Sequence, residues 1–269
     1  MQWRMAQTIL SIFLVSSVVG CGLFSRRQSP PPPSAAAPPP HVTYETQEAV
    51  TEPAVEAAPG ALIEASGPME PKSVAAAEQS LSWLKNGNKR FVKSRLRKDG
   101  QSMKDVRRLA TEQRPHAIIL ACSDSRVPPE IVFDQKLGEV FVVRTAGQSL
   151  DSNVIGSIEY AMAHFHSKLI LVMGHNSCGA VNAAIRTING EDAGSPALNR
   201  MVADLHSRLK LLSTQGPPSA HGTAEAFANA RGVAADLMVR SAMIKAAVDQ
   251  GELSIRSALY HVDTGVVEF

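Results

Sequence analysis

Two short stretches of this chain hold the side chains best suited to chemistry. The first reads Cys122-Ser123-Asp124-Ser125-Arg126 and the second His175-Asn176-Ser177-Cys178-Gly179. Two thiols and one imidazole are donor types that zinc prefers, and three protein donors leave one tetrahedral corner open, the pattern of a catalytic rather than a structural site. A His-x-x-Cys turn can aim both of its side chains at one point. Asp124 could stand beside that point as a carboxylate, with Arg126 holding it by a bidentate charge-assisted pair. The same residues admit plainer readings. Cys122 could be a small buried hydrophobe, Cys122 and Cys178 a disulfide, and Asp124 with Arg126 a structural ion pair.

Donors some fifty residues apart meet only if a fold brings them together. Three contiguous apolar runs, Ala117–Ala121, Val140–Val143 and Leu169–Met173, lack alternation and so suit strands covered on both faces of a parallel sheet. Each motif directly follows one of these runs, the first and the third. Val154, Ile158, Ala161 and Phe165 space as a helix face, with Asp151 or Ser152 placed to cap it. Cys178 would open a helix over Gly179–Ile188, whose positive end favours a thiolate. Leu81, Leu84 and Phe91 mark one side of an N-terminal helical arm. The Ala-rich stretch from about Thr223 to Gln250 reads as one long helix stopped at Gly251, and a last strand is expected over about Ala258–Val262. Asn189–Gly222 carries no legible motif. Strand, crossover helix, strand, repeated, gives an α/β protein with a central, mostly parallel sheet flanked by helices. Open sheets of this kind place their sites at the carboxyl ends of the strands, so the two motif loops should face one crevice.

Composition narrows the function classes. The 269 residues carry 27 Lys and Arg against 25 Asp and Glu, a net charge of +2, which leaves no nucleic-acid footprint. Aromatic residues at 5% give no stacking surface for single strands, and three cysteines cannot build a disulfide scaffold.

The beginning of the chain reads as a targeting device. Arg4 precedes an apolar run from Ile9 to Val19, too short to span a bilayer comfortably. Val18-Val19-Gly20-Cys21 resembles the lipobox of bacterial lipoproteins, which implies cleavage after residue 20 and acylation of Cys21. Residues 21–75, with Pro30–Pro33 and Pro38–Pro40, read as a disordered tether reaching on the order of 40 Å. The folded domain is expected over 76–269. The export signal implies a domain anchored by lipid to a bacterial membrane, facing the periplasm or the cell surface.

The two motifs and their surroundings resemble the β-class carbonic anhydrases. Cys122-Ser-Asp124-Ser-Arg126-Val-Pro-Pro-Glu130 and His175-Asn-Ser-Cys178-Gly-Ala-Val181 carry the likeness, supported by Lys85–Phe91, Phe141–Gly147, Ile158–Tyr160 and Tyr260–Gly265. The resemblance implies one Zn²⁺ per chain on Cys122, His175 and Cys178, and reversible hydration of carbon dioxide to bicarbonate and a proton. It implies that Asp124 orients the nucleophile and is held by Arg126, and that Asp124 ligates the metal only in a closed, inactive form. Gln113, Phe141, Ala146, Tyr160 and the Gly179 amide match substrate-binding positions, with Gln113 reaching across the interface of a homodimer or higher oligomer. Two thiolates cancel the formal charge of Zn²⁺, so activity is expected to rise toward alkaline pH. Ile119 stands where bicarbonate-inhibited members carry Trp, so bicarbonate gating through Arg144 is expected to be weak or absent. Gln148 replaces an Asn found in many bacterial members. A hydrolase of carbonyl sulfide or carbon disulfide, and an inactive zinc-stabilised lipoprotein, are the competing readings.

Overall fold

The computed structural model describes residues 72–213 and 219–269. Chain order runs α1 (Lys72–Val92), α2 (Met103–Arg108), β1 (Ala117–Cys122), α3 (Pro129–Val132), β2 (Val140–Thr145), α4 (Ser152–Phe165), β3 (Leu169–His175) and α5 (Gly179–Ile188). It continues with α6 (Pro196–Ser213), α7 (Thr223–Arg240), α8 (Ala242–Asp249), β4 (Ser254–Tyr260) and β5 (Val267–Glu268). The five strands lie in the order β2-β1-β3-β4-β5; β1 to β4 pair in parallel, and β5 runs antiparallel to β4.

Every residue of β1 and β3 is buried, as uninterrupted apolar runs require in a sheet covered on both faces. Ile119 and Ala121 point with Leu81, Leu84, Val132 and Phe133 into one face, beneath α1 and α3. Ile118 and Leu120 point with Ile158, Val233, Leu237 and Ile244 into the other, beneath α4, α7 and α8. The result is the expected helix–sheet–helix sandwich. The arm α1 is locked on by buried Asn88, which donates to Val132 O at 3.2 Å and Gly265 O at 2.8 Å and accepts from Val267 N at 3.0 Å. Gly87 permits that approach, since a Cβ there would lie 1.7 Å from Phe133 O.

The sequence expectations for strands and helices are met with three corrections. Val140–Val143 is a strand covered on both faces, with Val140 and Val142 packed beneath α1 and α3 and Phe141 and Val143 beneath α4, α7 and α8; it is only half-buried because β2 lies at the sheet edge. The stretch 223–250 is two helices. Ser241 turns to extended backbone (φ −129°, ψ 112°) and its hydroxyl caps α8 by accepting from Ile244 N at 3.0 Å, while donating to Glu159 Oε1 at 2.6 Å. The closing strand covers Ser254–Tyr260 rather than 258–262, because polar Ser254, Arg256 and Ser257 pair with β3 despite their weak apolar signal. Asn189–Gly222 contains α6, whose Val202, Leu205 and Leu209 are buried against α5. Asp151, of the two cap candidates, accepts from Val154 N at 2.8 Å. Cys21 and residues 21–71 of the segment expected to be a tether lie outside the described residues, as does 214–218, whereas 72–75, expected to belong to the tether, open α1.

Candidate metal centre

β1 and β3 are neighbours, so their last residues, Cys122 and His175, emerge side by side at the carboxyl edge of the sheet. Cys178 returns to the same point through a tight turn. Ser177 there adopts φ +54°, a left-handed conformation uncommon for a residue with a Cβ, and its N–H donates to His221 O at 2.6 Å. Cys178 then stands as the residue before α5. The two sulfurs and an imidazole nitrogen all lie within 4.8 Å of one another, and all three residues are buried. Both cysteines are free thiols, so no disulfide joins them.

The donor chemistry fits a divalent metal. His175 Nδ1 faces Asn176 O at 2.8 Å, an acceptor, so Nδ1 carries the ring proton and Nε2 keeps a lone pair. Nε2 is buried and has no hydrogen-bond partner. An unsatisfied acceptor between two sulfurs is costly unless a cation takes it. The thiols behave as a pair. The Cys178 thiol, hydrogen-bonded to the Cys122 sulfur, lowers the Cys122 pKa against the rise that burial brings, and the Gly147 N–H, 3.4 Å from Cys122 Sγ, adds to the lowering. That shared bond, together with burial, raises Cys178. The first proton leaves easily and the second stays, which is the proton a dication would displace.

Asp124 is not one of the three clustered donors. Its Oδ1 accepts from Arg126 N and Nε, both at 2.9 Å, and its Oδ2 accepts from Arg126 Nη2 at 2.7 Å. The Arg126 hydrogen bonds hold the carboxyl well below the usual carboxylate range, so it is ionised. Arg126 also donates to Ser177 O at 3.2 Å, tying the first motif loop to the second.

Of the other residues singled out in the sequence, two lie at this edge. Ala146 follows Thr145, the partner of Cys122 in the β1–β2 register, and Gly179 begins α5 directly after Cys178. Three do not. Phe141 pairs with Ile118, four residues and about 13 Å down the strand from Cys122, and its ring packs on Phe165. Tyr160 is half exposed on α4, stacked on His164 at 4.1 Å. Gln113 is exposed before the start of β1, at the end of the strand opposite Cys122.

Two supports were not read from the sequence. Arg144 donates Nε to Cys122 O at 2.9 Å and Nη2 to Asp124 O at 2.7 Å, bracing the first loop. Asn176, buried, accepts from Val262 N at 2.8 Å and donates to Asp263 at 3.2 Å, fastening the second loop to the turn after β4. Only the placement of Arg144 near the end of a strand beside β1 hinted at its role.

Known proteins are similar to this chain in sequence and fold. The family model for carbonic anhydrase matches residues 117–267. Carbonic anhydrase 2 of Mycobacterium tuberculosis is 42% identical over 184 residues, 68% of this chain and 87% of the relative. A β-carbonic anhydrase of Coccomyxa, solved with acetazolamide, superposes with a TM-score of 0.54 at 27% identity, covering 60% of this chain and 74% of that one. One of two tetrameric β-carbonic anhydrases of Sordaria macrospora shares the fold, with a TM-score of 0.55 at 22% identity over 74% of this chain and 96% of that one. With two thiols and an imidazole converging on one edge of a parallel sheet, and relatives of this similarity, the chain belongs to the β-class carbonic anhydrase family.

Proposed function

We propose that this chain interconverts carbon dioxide and bicarbonate at the centre formed by Cys122, His175 and Cys178, with Zn²⁺ as the resident metal. The observation that carries the assignment is the unpartnered, buried Nε2 of His175, aimed with two thiols into one point. Bound there, zinc would lower the pKa of a water from about 15.7 toward neutrality and so supply a nucleophile.

The protein's own groups do the rest. Asp124 Oδ2, 4.0 Å from His175 Nε2, accepts a hydrogen bond from the nucleophile and turns its lone pair toward the substrate carbon. Arg126 engages both carboxylate oxygens, so Asp124 stays ionised and in this conformation is held apart from the three clustered donors. The Gly179 N–H, at the positive end of α5, faces the negative charge that grows on a substrate oxygen. Ala146 supplies apolar wall.

Gln113, Phe141 and Tyr160 sit away from the centre of their own chain, and they complete the pocket of a partner subunit in a homodimer or larger assembly. The exposed ring of Tyr160 and the exposed Gln113 support that reading. The N-terminal sequence supports a lipid anchor at Cys21, with the chain between it and α1, residues 22–71, as a tether holding the enzyme, exported, at a bacterial membrane. Stopped-flow hydration of carbon dioxide by the zinc-loaded full chain tests the activity. Turnover well above the buffer rate is expected, and a zinc-loaded, folded chain with none would refute it.

A further inference from the structure

Behind the metal loops lies a buried polar network that the chemistry above does not use. Asn229, fully buried on α7, donates Nδ2 to Gly147 O at 2.8 Å and to Gln148 Oε1 at 3.2 Å. Gln148 donates Nε2 to Met173 O at 3.0 Å, two residues before His175. The Gly147 N–H reaches Cys122 Sγ. On its outer side Asn229 Oδ1 accepts from Arg208 Nη1 at 3.4 Å, and Arg208, also buried, is held by Asp204 at 2.9 Å and Asp236 at 2.7 Å. One amide side chain therefore braces the turn that touches both donor-bearing strands.

That turn needs bracing. Gly147 has φ +63° and Gln148 φ +54°, and a non-glycine residue in the left-handed region persists only where its surroundings hold it. Both residues of the strained pair receive a hydrogen bond from Asn229. The turn is also closely packed, since a Cβ on Gly147 would lie 2.8 Å from Leu205 Cδ2 and 2.9 Å from Ala180 Cβ.

We propose that Asn229 is a positioning residue for the metal centre: it fixes the 147–148 turn so that the Gly147 N–H stays on Cys122 Sγ and moderates the charge that sulfur gives to the metal. The proposal rests on the zinc reading of the site. Groups that hold a ligand from behind typically cost 10- to 100-fold in metal affinity or activity when removed.

The test uses three full-chain variants. Asn229→Asp keeps an oxygen for Arg208 but loses the N–H donors to Gly147 and Gln148; Asn229→Ser is too short to reach either. Arg208→Lys disturbs the outer half of the network only. The measurements are zinc affinity by chelator competition and the sulfur-to-metal charge-transfer band of the cobalt-substituted protein. Both Asn229 variants should bind zinc about 10-fold or more weakly and shift the cobalt band. Arg208→Lys should lose thermal stability with affinity and band unchanged. Asn229 variants with the wild-type affinity and band, whatever their melting temperature, would overturn the proposal, as would Arg208→Lys producing the same shift. If Asn229→Asp does not fold, Asn229→Ser decides. A wild-type chain that takes up no zinc would instead defeat the metal reading itself.

Discussion

Asp124 Oδ2 stands 4.0 Å from His175 Nε2 while both of its oxygens are engaged by Arg126. The carboxylate is close enough to reach a nucleophile at the centre, yet it is committed to a guanidinium rather than to a metal. Asn at this position would preserve volume and remove the charge that Arg126 grips. Asp124→Asn should lower the carbon dioxide hydration rate on the order of 100-fold, with zinc content still near one per chain. Rate by stopped flow and metal by atomic absorption check both halves, and loss of zinc in step with the rate would assign Asp124 to metal binding instead.

Arg144 braces the same loop through two carbonyls, Cys122 O and Asp124 O. Arg144→Met keeps much of the aliphatic stem and removes both hydrogen bonds. The variant is expected to keep its zinc and lose about 10-fold in kcat, because small misplacements of reacting groups are costly. Bicarbonate inhibition should be no different from that of the parent, since the guanidinium is already occupied. A change in bicarbonate inhibition without a change in kcat would return Arg144 to an anion-binding role.

The sheet and the clustered donors Cys122, His175 and Cys178 were legible because they depend on local pattern. Runs such as Leu169–Met173 admit few environments, and a thiol and an imidazole at the ends of two such runs have few reasons to be there. Ser241 was hidden because a serine in an Ala-rich helix reads as a neutral helix residue until Glu159, 82 residues away, is seen to take its hydroxyl. The bracing roles of Arg144, Asn176 and Asn229 were missed for a similar reason. Each acts on a backbone group of a distant element, and no spacing in the sequence marks such a bond. Phe141 and Tyr160 show the opposite limit: family likeness names them, but one chain alone does not place them beside the donors.

Their placement gives a subunit test. If Gln113 serves the partner's pocket while Asp124 serves its own, Gln113→Ala and Asp124→Ala impair different halves of one shared site. Co-expression should form about half mixed dimers, each with one intact site, and recover roughly a quarter of the wild-type rate. Gel filtration should show at least a dimer. A mixture no more active than its two parents would place Gln113 in the pocket of its own chain or outside the pocket altogether.

Stability should fall in mild acid through His116. Its ring is packed against Trp83 at 4.9 Å, with Nε2 on Gln135 at 2.9 Å and Nδ1 buried without a partner. Burial lowers its pKa below the ordinary 6.5. The unfolded chain therefore takes up a proton near pH 6.5 that the folded chain refuses until lower pH. The neutral ring's contribution is complete above about 6.5 and is lost as pH falls below it, by at most about 1.4 kcal/mol per pH unit for one group. Urea denaturation at pH 7.5 and 5.5 should show this loss, and His116→Gln should lessen it. An equal loss in both proteins would assign the acid sensitivity to other groups.

The identity of the metal shell bears on everything above. X-ray absorption at the zinc edge of the purified full chain should find one zinc per chain, with two sulfurs at about 2.3 Å and nitrogen or oxygen at about 2.0 Å. The sulfur count should drop to one in Cys178→Ser. An active enzyme whose zinc has no sulfur neighbours, or that turns over carbon dioxide with Cys122 and Cys178 joined and no metal bound, would contradict the account.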